Sequence, residues 1–141
     1  MRICGIELAG NDIVVCILER DSMQFSLPDC RVRKLSLPKV HSRADLQQIQ
    51  FAFKKLMTDY KVEKVAIKER PTKGKFAGGA VSFKLEAAIE LLTDIEVVLL
   101  SSAQIKSALS DNPLPISPSN AGLKVFQETA FTVAYAAHTL K

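Results

Sequence analysis

The chain has 141 residues, a formal net charge of +4, 48% hydrophobic residues and 24% charged ones. That mix suits one globular domain with its own core. No apolar run approaches the ~20 residues that span a bilayer, the first residues lack a signal-peptide pattern, and three widely spaced cysteines without a C-x-x-C pair argue against zinc and disulfide frameworks. A cytoplasmic protein with a modest bias toward anionic partners is therefore expected.

Residues 2–8 read as a strand, with Ile3, Gly5 and Glu7 on one face and Cys4, Ile6 and Leu8 on the other. Ala9-Gly10-Asn11-Asp12 is a tight turn into a second strand, 13–18, and the two form a hairpin. A third strand is expected within 30–37, its ends restricted by Pro28 and Pro38. Ser42 suits a helix N-cap, and Leu46, Ile49, Phe53, Leu56 and Met57 recur at helical spacing over 43–60. Residues 64–68 make a short β-branched strand that delivers Glu69 at its end. A loop rich in Pro, Gly and Lys follows over 70–79, then a helix over 80–92. Residues 95–100 are apolar enough for a buried parallel strand, and Ser101 or Ser102 caps a short helix running to 109. Pro113, Pro115 and Pro118 mark a loop or poorly ordered lid before a last helix over about 123–140. This order predicts a single α/β domain over 1–141. Its mixed five-stranded sheet has the first three strands antiparallel and is flanked by helices.

Three carboxylates stand where chemistry is expected. Glu7 and Glu69 interrupt apolar strand ends, which in open α/β sheets face ligands. Glu128 lies near the start of the last helix, which this topology brings close to the end of the first strand. Converging carboxylates repel unless a cation neutralises them, and hard oxygen ligands suit magnesium or manganese. Two such ions activate water and stabilise the leaving oxygen of a phosphodiester. Each acid also has a plainer role: Glu128 complements the helix dipole, Glu7 ends a strand beside solvent or an ion-pair partner, and Glu69 stands between Lys68 and Arg70.

Lys68, Arg70, Lys73, Lys75 and Lys84 form a basic cluster around the segment after Glu69, and Phe76 is placed among them to stack on a base. Such a cluster is either a solvated face or a source of phosphate contacts without sequence specificity. Glu86 and Glu90, four residues apart, are expected to face solvent, and His138 to complement the C-terminal dipole as a cation.

At these residues the chain resembles the Holliday-junction resolvase (RuvC) family of the ribonuclease H-like superfamily. Ile3-Cys4-Gly5-Ile6-Glu7-Leu8-Ala9-Gly10 is similar to that family's opening strand, Val65-Ala66-Ile67-Lys68-Glu69 to the strand ending in its second catalytic acid, and Glu128-Thr129-Ala130-Phe131 to the start of its terminal helix. The chain also resembles a family of short uncharacterised bacterial proteins, a domain of unknown function with this fold. The resemblance implies a ribonuclease H-like fold, with Glu7, Glu69 and Glu128 as catalytic residues and ligands of Mg or Mn. Two departures stand out. The first acid is a glutamate where the resolvases have aspartate, and Val125 stands one turn before Glu128 where they have a second acid.

The leading expectation is a metal-dependent endonuclease acting on structured DNA or RNA, with a homodimer suggested by the resemblance. The rival is a non-catalytic nucleic-acid-binding or adaptor domain that kept the fold and the basic loop. A nucleotide binder of the actin or sugar-kinase kind is a third reading, disfavoured because those proteins close two such domains around their ligand.

Overall fold

The computed structural model describes residues 1–30, 32–70 and 79–140. Lys73, Lys75 and Phe76 of the expected basic loop lie outside the described residues. Strands β1 (Arg2–Ala9) and β2 (Asp12–Asp21) form the expected hairpin, with Ala9 paired to Asp12 and Gly10 at φ 62° in the turn. Two three-residue strands, β3 (Gln24–Ser26) and β4 (Lys34–Ser36), pair antiparallel with β2. Helix α1 (Arg43–Asp59) leads to β5 (Lys64–Lys68), α2 (Ala80–Glu90) and β6 (Glu96–Leu100). Helices α3 (Ser102–Asp111) and α4 (Glu128–Thr139) complete the chain.

The sheet runs β3-β2-β1-β5-β6, with β4 also on β2. β1, β5 and β6 are mutually parallel. The sheet therefore has six strands among the described residues, not five. The expected third strand shrinks to β4, and β3 precedes Pro28. Their short lengths let both share the ten-residue β2 as a partner, at its opposite ends.

The helices form two layers. α1 and α2 cover one face, where Cys4, Ile6, Leu8, Val15, Val65 and Ile67 meet Phe53, Met57, Leu85 and Ile89. α3 and α4 cover the other, where Ile3 and Ala66 meet Ile105, Ala108, Val133 and Ala136, and Val14, Cys16 and Leu18 meet Ala130, Phe131 and Tyr135. Both α1 and α3 begin with capping boxes, Ser42 with Asp45 and Ser101 with Gln104, each satisfying amides a helix start leaves unpaired. The Pro-rich segment packs onto the α4 layer through Leu114 and Leu123, and the Tyr135 hydroxyl donates to the Pro113 carbonyl at 3.1 Å. Cys4 and Cys16 are buried, and burial pushes the Cys16 thiol up to about 12.

α4 lies unusually close to β1. A Cβ at Gly5 would sit 2.1 Å from the Ala130 carbonyl oxygen and 2.5 Å from the Ala134 amide nitrogen. Only glycine fits, because the helix rests on the strand backbone to backbone. At the far end of α4, the Arg20 guanidinium donates to the His138 carbonyl at 2.8 Å and so takes up the dipole-capping role expected of the imidazole. His138 is instead half-buried with Nε2 at 2.8 Å from the Leu18 carbonyl, and burial, the N-terminus, Arg20 and Lys64 outweigh that contact and lower its pKa.

Gly5→Ala should lower the unfolding free energy by about 3 kcal/mol, the upper range for overpacking, because the clash is with backbone that cannot rotate away. Urea denaturation measures it, and an unchanged midpoint would contradict the close approach. A histidine with a lowered folded pKa stays neutral in the fold while the unfolded chain gains a proton. Stability should therefore fall as pH drops below ~6.5 toward the folded value. Urea midpoints from pH 7.5 to 5.5 should decline in the wild type and decline less in His138→Gln.

Candidate nucleic-acid interface

The C-terminal ends of β1 and β5 point the same way, and α4 starts above them. The pleat sorts the candidate residues. Ile3 and Gly5 face α4, so Glu7, two residues on, does too. On β5, Ala66 faces α3 and α4, so Lys68 follows it, while Val65 and Ile67 face α1 and α2. Glu69 continues the ladder through its amide, which donates to the Leu100 carbonyl at 2.9 Å. By parity its side chain belongs to the α2 side, and its charge helps to raise the pKa of Glu86 on α2.

The start of α4 is built by a residue that sequence reading missed. The helix begins at Glu128, after a 3-10 turn over Val125–Gln127. Gln127 is buried. Its Nε2 donates to the Val15 carbonyl at 3.0 Å and its Oε1 accepts from the Lys124 amide at 3.1 Å. These bonds hold the first turn over β2. Glu128, the next residue, turns toward β5 and lines a cleft with Lys68. β1 runs between β2 and β5, so Glu7 stands between the two directions. Gln127 carries no charge and breaks no periodicity, so only its position before an apolar helix could have signalled a tether.

The cleft has a volume of about 360 Å³. Its polar lining comes from Lys68 on β5, Ser102 and Lys106 on α3, and Glu128, Thr129 and Thr132 on α4. Val125 stands at its rim, 88% exposed, so packing does not explain a valine there. Glu7 is half-buried and Glu128 exposed. Neither joins a salt bridge among the described residues, and Glu69 joins none either.

Glu7 and Glu128 thus lie on the α4 side of the sheet, while Glu69, exposed just after β5, has its charge felt by Glu86 on α2. Among the described residues no group of three or more His, Cys, Asp or Glu side chains is placed to hold a metal ion. Glu7, Glu69 and Glu128 form no such group as arranged. The expected basic cluster is divided as well. Lys68 faces α4, whereas Lys84 projects from α2 on the opposite layer, its Nζ 3.3 Å from His41 Nε2. Arg70 is half-buried, and its Nε is shielded from solvent with no hydrogen-bond partner among the described residues. Glu86 does not face solvent as expected. It is half-buried, its Oε2 has no hydrogen-bond partner among the described residues, and burial, then Glu90 and Glu69, raise its pKa.

Residues 1–137 match the sequence profile of the family described as "Protein of unknown function (DUF3010)". The chain belongs to the DUF3010 family. No curated protein matches it significantly by sequence. Its fold is similar to that of Thermus thermophilus RuvC, with a TM-score of 0.73 at 15% identity over 99% of this chain and 94% of that one. A second similar structure is T. thermophilus RuvC in complex with Holliday junction substrate, with a TM-score of 0.70 at 16% identity over 99% and 93% of the two chains. This member of DUF3010 therefore has a RuvC-like, ribonuclease H-like fold. No helix among its described residues is long and apolar enough to cross a membrane.

Gln127→Ala leaves the buried Val15 carbonyl and the Lys124 amide without their side-chain partner. It should lower stability by about 1–3 kcal/mol. Thermal or urea unfolding measures this, and a loss below a few tenths of a kcal/mol would show that Gln127 does not anchor the helix start.

Proposed function

We propose that this chain acts on structured nucleic acid, DNA or RNA, and holds its phosphodiester backbone in the cleft between β5, α3 and α4. The observation that carries this reading is the placement of Lys68 and Lys106 with the hydroxyls of Ser102, Thr129 and Thr132 at the C-terminal edge of the parallel strands. Ammonium groups and hydroxyls are the usual donors to phosphate oxygens. In open α/β sheets this edge is where ligands bind. The net charge of +4 favours a polyanion. The RuvC-like fold, seen in a similar structure bound to Holliday junction substrate, adds a branched duplex as the first substrate shape to test. Lys73, Lys75 and Phe76, outside the described residues, and Lys84 on α2 belong to this proposal as further candidate contacts.

A second, more specific reading is hydrolysis of that backbone with Mg or Mn and Glu7, Glu69 and Glu128 as the acids. It is favoured by Glu7, a half-buried carboxylate that joins no salt bridge among the described residues.

Fluorescence anisotropy with four-way, flap, duplex and single-stranded DNA and RNA tests the first reading, and gel assays of the same substrates with Mg or Mn test the second. Binding should weaken linearly in log Kd against log salt. Lys106→Glu should weaken it at least about tenfold by removing one phosphate contact and adding repulsion. Unchanged affinity in that variant would remove the cleft from the interface. Metal-dependent cutting that Glu7→Gln abolishes would establish the nuclease.

A further inference from the structure

Resting on the nucleic-acid reading above, we propose that the Lys68 ammonium takes the place of a divalent cation between Glu7 and Glu128, so that the cleft holds its ligand without a metal ion. The register carries the argument. β1 and β5 are parallel neighbours with Gly5 opposite Ala66 and Ile6 opposite Ile67. Carried one step further, that register sets Glu7 opposite Lys68. Gly5 lies under α4 and Ala66 packs against the same layer, so both following residues of that parity face it. Lys68 and Glu128 line one cleft. Gln127 reaches β2 on one side of β1 and Glu128 lines the cleft beside β5 on the other, so β1, which carries Glu7, runs beneath the start of α4.

Two carboxylates brought to one sheet edge need a positive charge nearby. A tethered ammonium supplies it permanently. Lys68 forms no closed ion pair among the described residues, so its flexible stem leaves the charge free within the cleft to serve either acid. A magnesium or manganese ion, in contrast, needs several oxygen ligands in near-octahedral order. The third carboxylate, Glu69, is one residue too late for that. A one-residue step reverses the face of a strand residue, and Glu69 is felt by Glu86 on the α2 layer. The rim position that would bring another acid is the exposed Val125. The Lys68 charge thus offsets the acids, and Lys106 with the hydroxyls of Ser102, Thr129 and Thr132 supplies the other phosphate contacts of the cleft.

The test compares thermal unfolding of the wild type, Lys68→Glu, Lys68→Gln and the double variant Lys68→Glu/Glu128→Gln, each with Mn2+ or with EDTA, together with electron paramagnetic resonance of bound Mn2+. The wild type should show no Mn2+ shift. Lys68→Glu puts a third carboxylate on the shared face and should gain a Mn2+-dependent rise of ~5 °C, as expected for a ligand well above its Kd. It should also gain bound Mn2+, and both should be lost in the double variant. If Lys68→Glu folds only when Mn2+ is added, that is the same result. Lys68→Gln, which removes the cation without adding charge, should bind Mn2+ more weakly but above the wild type. Mn2+ uptake by the wild type that Glu7→Gln removes would overturn the proposal, and so would no uptake by either Lys68 variant.

Wild-type binding to nucleic acid should be the same in EDTA as in Mg2+. Binding only with metal would overturn this inference and leave the nucleic-acid reading intact. No binding under either condition would remove that reading, while the Mn2+ comparison would still decide the role of Lys68.

Discussion

The backbone of α4 lies on the backbone of β1 at Gly5, where a single added carbon would come within 2.1 Å of the Ala130 carbonyl. A helix at ordinary distance from a sheet is held by interlocking side chains and can slide by a residue at modest expense. A helix resting on a glycine cannot, since any shift brings Cβ atoms into the strand. The small residues Ala130, Ala134, Ala136 and Ala137 along the buried face of α4 serve the same approach. The register of α4 against β1 is thereby set. Everything at the strand ends depends on it, because that register decides which α4 residues stand over Glu7.

Gln127 and Arg20 secure the two ends of the same helix. Gln127 ties the first turn to the β2 carbonyl of Val15, and Arg20 takes up the His138 carbonyl at the last turn. Both are polar side chains reaching more than a hundred residues along the chain to backbone acceptors. They satisfy groups that would otherwise be left unpaired beside an apolar layer. The helix is thus placed by a steric stop in its middle and by hydrogen bonds at its ends.

The strand edge beneath α4 shows how strongly a β-strand's period of two governs charge. Lys68 and Glu69 are consecutive, yet Lys68 lines the cleft with Glu128 while the charge of Glu69 is felt by Glu86 on α2. The fold is RuvC-like over nearly the whole chain. What the fold does not transfer is the identity of the charge at each register position. A site is made of particular atoms on particular faces, so the fold by itself does not decide its chemistry.

Much of the architecture was legible in the amino-acid sequence. The hairpin turn at Gly10, the Ser42 cap, the stripe from Leu46 to Met57 and the β-branched run over 64–68 are local signals, and each emerges as the expected element. Such signals act through neighbouring residues, so they survive without knowledge of the rest of the chain. The three-residue β3 was not legible in that way, and of the strand expected over 30–37 only β4 forms, because both exist only as partners of β2. The candidate acids were legible as residue types at strand and helix ends. Which of them share a face was decided by the tertiary structure, through the β1–β5 register and the seating of α4 on Gly5. Neither leaves a local mark, since both are relations between segments some sixty to more than a hundred residues apart. The half-burial of Glu86 and His138 has the same origin: exposure belongs to the packed layers and not to the residue.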